Sequence, residues 1–307
     1  MFLNNGSQVK KVTNINPYLF EAENIFIDKR NKPLCSVPEM MNGNRPTDDG
    51  NLIIEKEELE RNKNELVGCE KIIKKFVGSR EYLHNEERYC LWITDEDLPL
   101  ISKNKFVRDR LEKCKQFREN STKEGTRKSA ETPWAFQEIR QPSSNYIVLP
   151  VTTSEMRRYI PIGYLDSNII CSNALMIIPN ANIYDFGILI SNVHMAWMRA
   201  FTGRLEMRYQ YSASVVYNNF PWPTPTKGQK ENIEKTAKMI LDIRKKYSDR
   251  SLAQLYDDLV MPADLRKPHQ LNNVAVMNAY GFPVKNSFTE SDCVAELMKM
   301  YQKLTEK

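Results

Sequence analysis

Three side chains able to form specific hydrogen bonds occupy alternate positions in the string "EMRYQY". They are Glu206, Arg208 and Gln210, separated by Met207 and Tyr209. Residues two apart on a strand point to the same face, about 6.5–7 Å apart. The alternation therefore predicts either a set of distinct side chains presented to a partner or a solvated strand face. The solvated face, with a Glu–Arg ion pair worth about 0–1 kcal/mol, is favoured by these residues alone.

Residues for catalysis are sparse elsewhere in the sequence. The adjacent carboxylates at 48–49 and 257–258 would diverge on a helix, so neither pair forms an acid–base couple. No G-x-S-x-G, H-E-x-x-H or phosphate-loop motif is present. The histidines are scattered in a way typical of packing or surface residues, and they are His84, His194 and His269. We therefore predict no catalytic residue in this chain.

Cofactor and metal motifs are also missing from the sequence. The string Asn16-Pro17-Tyr18 resembles the Asn-Pro-Pro-aromatic motif of DNA amino-methyltransferases but lacks its second proline, and no G-x-G follows a predicted strand. We interpret it as a turn. The six cysteines show no C-x-x-C spacing, which favours reduced, packed thiols. We expect neither a cofactor nor a metal in this chain.

Positive charge is concentrated in one segment. Residues 101–128 hold ten Lys and Arg against four Asp and Glu, while the whole chain carries a net charge of only +5. Such a segment is either a solvated helix face or a contact for a polyanion, where clustered cations displace counterions from phosphates. The residues leave both explanations open.

The pattern of apolar residues predicts an α+β fold in two domains. "RYCLWI", "NYIVLPVT", "RRYIPIGYL" and "NIICSNALMIIP" are typical of strands, and "YDFGILISNVHMAWMRAF" predicts one long buried helix. After "PWPTP" the apolar residues follow helical spacing. We expect a mixed sheet-and-helix domain over 1–225 and a small all-helical domain over 226–307. Helix caps are expected at Ser251, Ser287 and Thr289, and a helix end at Gly281.

Several long strings together resemble one protein family. They are "KPLCSVPEMMNGNRPTDDGNLII", "RYCLWI", "EIRQP", "RRYIPIGYL", "HMAWMRAFTGRLEMRYQYSASVVYNNFPWP" and "SLAQLYDDLVMPADLRKPHQLNNVAVMNAYG". From about residue 30 to its end, the chain resembles the C-terminal part of MmeI-like (type IIL) DNA methyltransferases and restriction-modification enzymes. The resemblance implies a DNA target recognition domain followed by a helical C-terminal region.

The same resemblance implies a larger parent protein. In this family an endonuclease and a domain that binds S-adenosylmethionine precede the recognition domain, and the parent methylates adenine at N6 after flipping it out of the duplex. The expected partners are double-stranded DNA and the N-terminal methyltransferase domain of the same protein. The chain is then expected to be a fragment or the product of a split gene. Whether the parent also cleaves DNA stays open.

The family's base-reading positions map onto Glu206, Arg208, Gln210 and Ala174. Arginine can bridge guanine O6 and N7, glutamate accepts from cytosine N4, and glutamine pairs with adenine. With the resemblance, base reading becomes the favoured explanation of the alternation. Charge alone, without a family match, suggests phosphate contacts by Lys115, Arg118, Lys123, Arg127, Lys128, Arg157 and Arg158. The aromatic residues of the neighbouring strings are expected in the core, namely Trp197, Phe201, Phe220 and Trp222.

Two other functions stay open at this point: a protein-interaction module, in which the basic segment is only soluble surface, and a metal-dependent nuclease or hydrolase. The nuclease has no supporting acidic cluster in the sequence. The sequence shows no run of eighteen apolar residues and no export signal, so we expect a cytoplasmic protein without a membrane partner.

Overall fold

The computed structural model describes residues 2–3, 8–9, 11–21 and 24–306. It contains both helices and strands, 42% and 14% of the chain, which confirms the α+β prediction. The strands are β1 (Phe2–Leu3), β2 (Gln8–Val9), β3 (Met41–Asn42), β4 (Ile53–Glu55), β5 (Ile73–Val77), β6 (Arg88–Leu91), β7 (Tyr146–Pro150), β8 (Thr152–Thr153), β9 (Gly163–Leu165), β10 (Ile170–Cys171), β11 (Leu175–Pro179), β12 (Gly203–Leu205) and β13 (Arg208–Gln210). The helices are α1 (Lys56–Arg61), α2 (Ser79–His84), α3 (Leu98–Ile101), α4 (Lys105–Glu119), α5 (Glu124–Lys128), α6 (Ile183–Leu189), α7 (Asn192–Phe201), α8 (Lys227–Lys245), α9 (Leu252–Leu255), α10 (Ala263–Tyr280) and α11 (Glu290–Thr305).

The chain forms two compact units. The sheet unit comprises Met41–Pro150 and Tyr164–Pro179, and the helical unit comprises Met1–Met40, Val151–Gly163 and Asn180–Lys307. These limits differ from the domains expected at 1–225 and 226–307, because α8 to α11 fall in the same unit as α6 and α7.

The sheet unit is built on two four-stranded sheets. One has the order β10-β5-β6-β4, with β10 parallel to β5 and the other neighbours antiparallel. The second has the order β3-β11-β7-β9, and its central pair aligns Leu175 with Pro150. Every residue of β7 is buried, in agreement with the apolar run that predicted this strand. The core of the first sheet includes Ile54, Ile72 and Leu91.

The long helix predicted from "YDFGILISNVHMAWMRAF" is in fact two helices. The first, α6, ends at Leu189, and the side chain of Ser191 caps α7 by accepting from the backbone N–H of His194. A serine in this position favours a new helix start over a continuous helix. The prediction of one helix was therefore wrong, although α7 is buried as expected.

Helices α8 and α10 pack closely with α6. Asn272 of α10 donates from Nδ2 to the backbone oxygen of Gly187 (2.8 Å) and accepts from Thr236 Oγ1 of α8 (3.0 Å). A Cβ on Gly187 would lie 2.6 Å from Cγ2 of Ile233, so glycine is needed for this approach.

The expected ends of the C-terminal helices are mostly confirmed. Ser251 and Thr289 cap α9 and α11, and Gly281 ends α10 with a left-handed φ of 69°. Ser287, by contrast, lies in a turn outside any helix. Among the described residues, each helix is too short or too polar to serve as a membrane span.

Candidate nucleic-acid interface

The three alternating side chains lie on a β-hairpin. Its strands β12 and β13 are antiparallel and are joined by the two residues Glu206 and Met207. Glu206 has a left-handed φ of 56°, which is uncommon for a residue other than glycine. The expectation that all three residues share one strand is therefore corrected: Arg208 and Gln210 lie on β13, whereas Glu206 lies in the turn. The reason is a chain reversal that brings residues 205 and 208 opposite each other.

The hairpin has two chemically different faces. Leu205 pairs with Arg208, Gly203 pairs with Gln210, and Arg204 pairs with Tyr209. Successive strand residues point to opposite sides of a sheet, whereas paired residues point to the same side. Arg208 and Gln210 therefore share one face with Leu205 and Gly203. Tyr209 is buried, while both neighbours on its strand are exposed. Arg208 and Gln210 therefore point away from the core.

Glu206 is tied to this face by an ion pair. Its Oε2 accepts from Nη2 of Arg208 at 2.9 Å, with 76% and 51% of the two side chains exposed. At this exposure the pair contributes about 0–1 kcal/mol to stability. It leaves most of the donors of the guanidinium available, and it places a carboxylate and a guanidinium side by side.

Arg204 supports the hairpin from its other face. Its guanidinium carbon lies 4.2 Å from the centroid of the Tyr209 ring, and Nη1 lies 3.3 Å from Oε2 of Glu155 and from the backbone oxygen of Met207. A cation over an aromatic ring contributes about 0.5–1 kcal/mol at exposed sites. This role of Arg204 was not predicted from the sequence, because the arginine faces the tyrosine only in the hairpin register.

The base of the hairpin is fixed by neighbouring backbone. Strand β13 also pairs with β8, where Tyr209 faces Thr153 and Gln210 faces Thr152. Thr202 Oγ1 donates to the backbone oxygen of Gln210 at 2.6 Å. Both edges of β13 are therefore occupied, which holds its side chains in one register.

A buried chain of hydrogen bonds continues from the end of the hairpin. Nδ1 of His194 lies 2.7 Å from the backbone oxygen of Leu189, and Nε2 lies 2.9 Å from the hydroxyl of Tyr211. A carbonyl can only accept, so Nδ1 carries the proton and Nε2 accepts from the tyrosine hydroxyl. Burial lowers the pKa of His194 to about 4. This histidine is therefore a neutral packing residue, which is one of the two roles expected for the scattered histidines.

The string "YNNFPWP" lies in the core next to the hairpin in sequence. Nδ2 of Asn219 donates to three backbone oxygens, including that of Asp28 at 2.8 Å, and its Oδ1 accepts from Nε of Arg30 at 2.9 Å. Nδ2 of Asn218 donates to the backbone oxygen of Arg30 at 2.7 Å. The aromatic residues expected in the core are all buried, which confirms their packing role: Trp197, Phe201, Phe220 and Trp222.

The turn predicted at Asn16 is also confirmed. Oδ1 of Asn16 accepts from the backbone N–H groups of Tyr18 and Phe20, at 3.1 and 3.0 Å. The side chain thus closes an Asx turn around its own following residues.

Ala174, the fourth expected reading position, lies in the turn between β10 and β11. It is exposed, its backbone oxygen accepts from Ser79 Oγ at 2.6 Å, and its N–H donates to Ser172 Oγ at 3.2 Å. The turn is therefore held from both sides. Ala174 belongs to the sheet unit, whereas the hairpin belongs to the helical unit.

Most of the predicted phosphate contacts in the basic segment are accessible. Lys115, Lys123, Arg127 and Lys128 are exposed. Two of them form ion pairs with glutamates one helical turn away. Lys115 lies 3.9 Å from Glu119, and Lys128 lies 2.8 Å from Glu124. Such exposed pairs are weak, so they leave both lysines able to exchange partners.

Arg118 is a correction to the predicted phosphate contacts. It is completely buried, and its three guanidinium nitrogens donate to five backbone oxygens at 2.8–3.0 Å. The acceptors are the oxygens of Pro46, Thr47, Ser129, Thr132 and Ala135. A guanidinium with all its donors used inside the protein cannot contact a phosphate. Its role is to tie together two loops of the sheet unit.

The last two predicted phosphate contacts lie in the helical unit. Arg157 is half-buried, with Nη1 3.4 Å from Oγ1 of Thr153, and burial lowers its pKa. Arg158 is exposed, with Nε 3.7 Å from Oδ1 of Asp258. Of these two, Arg158 is the more accessible to a polyanion.

Potential metal ligands are spread across the described part of the chain. No cluster of three or more His, Cys, Asp or Glu side chains with metal-binding geometry occurs there. The six cysteines are free thiols, and all except Cys35 are buried, as the sequence predicted.

The sequence and the fold of this chain are similar to those of known proteins. A family model described as the MmeI target recognition domain matches residues 21–224, and one described as the MmeI C-terminal domain matches residues 225–307. The chain is 37% identical over 298 residues to "DNA methyltransferase A" of Bacillus subtilis (strain 168), covering 97% of this chain and 34% of that protein. A solved structure of the type IIL restriction-modification enzyme MmeI in complex with DNA matches with a TM-score of 0.92 and 44% identity, covering 97% of this chain and 40% of the other.

These matches define the class of protein. The chain is a target recognition domain followed by a C-terminal domain, as found in DNA methyltransferases and restriction-modification enzymes. It belongs to the MmeI family, which confirms the resemblance noted in the sequence. The chain spans about a third of the length of the curated relative that it matches.

Proposed function

We propose that this chain is the sequence-specific DNA recognition portion of an adenine-N6 DNA methyltransferase or type II restriction-modification enzyme. The observation that carries the proposal is the supported hairpin, which presents Arg208 and Gln210 on one exposed face with Glu206 at its tip. The solved relative that matches at 44% identity is described in complex with DNA.

The proposed readout is direct hydrogen bonding in the major groove. Arg208 has free donors for guanine O6 and N7, Gln210 suits adenine N6 and N7, and Glu206 suits cytosine N4. A two-stranded β-ribbon is narrow enough to enter a groove about 12 Å wide. Ala174 is proposed as a fourth reading position, at which a small residue leaves room for a base edge.

Phosphate contacts are proposed to position the reader without carrying sequence information. The candidates are the exposed cations Lys115, Lys123, Arg127, Lys128 and Arg158, with the half-buried Arg157 as a weaker one. Arg118 is excluded by its buried hydrogen bonds.

The parent protein is proposed to supply the chemistry. Its N-terminal methyltransferase domain would bind S-adenosylmethionine and act on a flipped adenine, while this chain selects the site. The proposed domain limits within the chain are 1–225 for target recognition and 226–307 for the helical region. A cytoplasmic location follows from this role.

The proposal is tested by selection of random DNA duplexes with the 307-residue chain at low salt. The chain should enrich a short motif, and Arg208→Ala and Gln210→Ala should each relax the preference at a different base pair. Lys227→Ala, at an exposed position of α8, is a matched control that should select the wild-type motif. Binding without any enriched motif contradicts the proposal.

A further inference from the structure

An apolar side chain stands among the polar ones on the outward face of the hairpin. Leu205 is 45% exposed and lies directly opposite Arg208 in the hairpin register. Side chains in such cross-strand pairs lie about 4.5–5.5 Å apart at Cβ and point to the same side of the sheet. Leu205 therefore shares the face proposed to read DNA, although its side chain has no group that can form a hydrogen bond with a base.

The rest of this face leaves Leu205 accessible. Gly203, the other β12 residue on the same face, carries no side chain, and a Cβ there would meet only the backbone oxygen of Gln210 at 3.8 Å. On its β12 side the face therefore presents the apolar Leu205 beside Arg208 and an open position beside Gln210. A flat surface of this kind permits close approach of another molecule.

The chemistry of the major groove limits what Leu205 can recognise. Among the groups that base pairs present there, the 5-methyl of thymine is the apolar one. The Cβ separation of about 4.5–5.5 Å between Leu205 and Arg208 is larger than one base-pair rise of about 3.4 Å and smaller than two. If Arg208 contacts one base pair, the side chain of Leu205 is therefore within reach of the neighbouring pair.

We propose that Leu205 is a specificity-determining residue that contacts the 5-methyl group of a thymine adjacent to the base pair read by Arg208. This inference rests on the proposed function, since it needs the hairpin to enter the major groove. It adds a reading position based on apolar contact to those that use hydrogen bonds.

The test combines a side-chain change with a change in the base. The DNA motif is first selected with the wild-type chain, and Arg208→Ala identifies the base pair that Arg208 reads. Each thymidine of the motif is then replaced by deoxyuridine, which removes only the methyl group. Affinities are measured by fluorescence anisotropy for the wild type, for Leu205→Ala and for the control Leu259→Ala, whose leucine is 90% exposed in the segment between α9 and α10.

Burial of one methyl group predicts a loss of about three- to fourfold in wild-type affinity when one thymidine beside the Arg208 base pair becomes deoxyuridine. Leu205→Ala should bind the two duplexes equally, and Leu259→Ala should behave as the wild type. The inference is overturned if deoxyuridine at every such position leaves wild-type affinity unchanged, or if Leu205→Ala retains the full effect. Failure of the wild type to enrich any motif overturns the proposed function and this inference together.

Discussion

The carboxylate of Glu206 lies 2.9 Å from Nη2 of Arg208 at the tip of the β12–β13 hairpin. This ion pair couples the two side chains, because each restricts the orientation of the other. In the proposed DNA complex, a nucleobase that accepts from the guanidinium would also lie beside a carboxylate acceptor. Exchanging the two charges should replace one hydrogen-bonding pattern by another and leave the backbone unchanged.

Replacement of Arg204 should loosen the hairpin without unfolding the protein. Arg204→Met removes the cation over Tyr209 and the contact with Glu155, together worth about 1 kcal/mol at this exposure. Amide hydrogen exchange in residues 203–210 should accelerate severalfold, and the free energy of global unfolding should fall by no more than about 1 kcal/mol. Arg204→Lys keeps the charge and serves as a control with a smaller effect. Unchanged exchange in both variants would show that Arg204 does not hold the hairpin.

Two cations of the basic segment should behave in opposite ways. Arg118→Met leaves five buried backbone oxygens without their charged donor and should lower the free energy of unfolding by about 3–5 kcal/mol. Lys123→Gln changes an exposed residue and should alter stability by less than about 0.5 kcal/mol.

Lys123→Gln should instead reduce the slope of log affinity for DNA against log salt by about 1. Denaturant unfolding and salt titrations of DNA binding measure the two effects. A stable Arg118→Met variant would contradict the structural role of Arg118. An unchanged salt slope for Lys123→Gln would remove Lys123 from the phosphate contacts.

The pH dependence of stability should contain a contribution from His194. An unfolded histidine takes up its proton near pH 6.5, whereas burial lowers the pKa of His194 to about 4. Between these values the unfolded chain binds more protons than the folded one. The stabilisation is thus complete above pH 6.5 and is lost as the pH falls towards 4, by about 3 kcal/mol.

The contribution is isolated by comparing the wild type with His194→Gln. The difference in their free energies of unfolding should shrink as the pH falls from 6.5 to 4. Tyr211→Phe removes the hydroxyl that faces Nε2 but leaves the ring buried, so it should keep the wild-type dependence. A difference that does not vary with pH would contradict a buried, neutral His194.

The sequence predicted the fold class and much of the core because these depend on local apolar patterns. The strand at "RYCLWI", the helices after residue 226 and the buried Trp197 all follow from period and composition. The helix break was signalled by Ser191, whose side chain caps α7.

The details of the candidate site depend on longer-range contacts that no local pattern reveals. Glu206 occupies a hairpin turn without the glycine or asparagine that usually marks one, so the reversal was not predicted. Arg118 belongs to a strongly basic segment, yet its direction is decided by loops that are distant in sequence. A charge count therefore predicts where cations are abundant, but not which of them face solvent.

The most direct test of the central claim is the sequence methylated by the proposed full-length methyltransferase. The double variant Glu206→Lys/Arg208→Asp should retain methylation but change the preferred base at one position of the recognised sequence, because the donor and acceptor have exchanged places. The same exchange at an exposed pair of α8, Lys227→Glu/Glu231→Lys, should leave the sequence unchanged. Sequencing that detects N6-methyladenine across a genome measures both. An unaltered methylated sequence in the Glu206→Lys/Arg208→Asp variant would contradict the account.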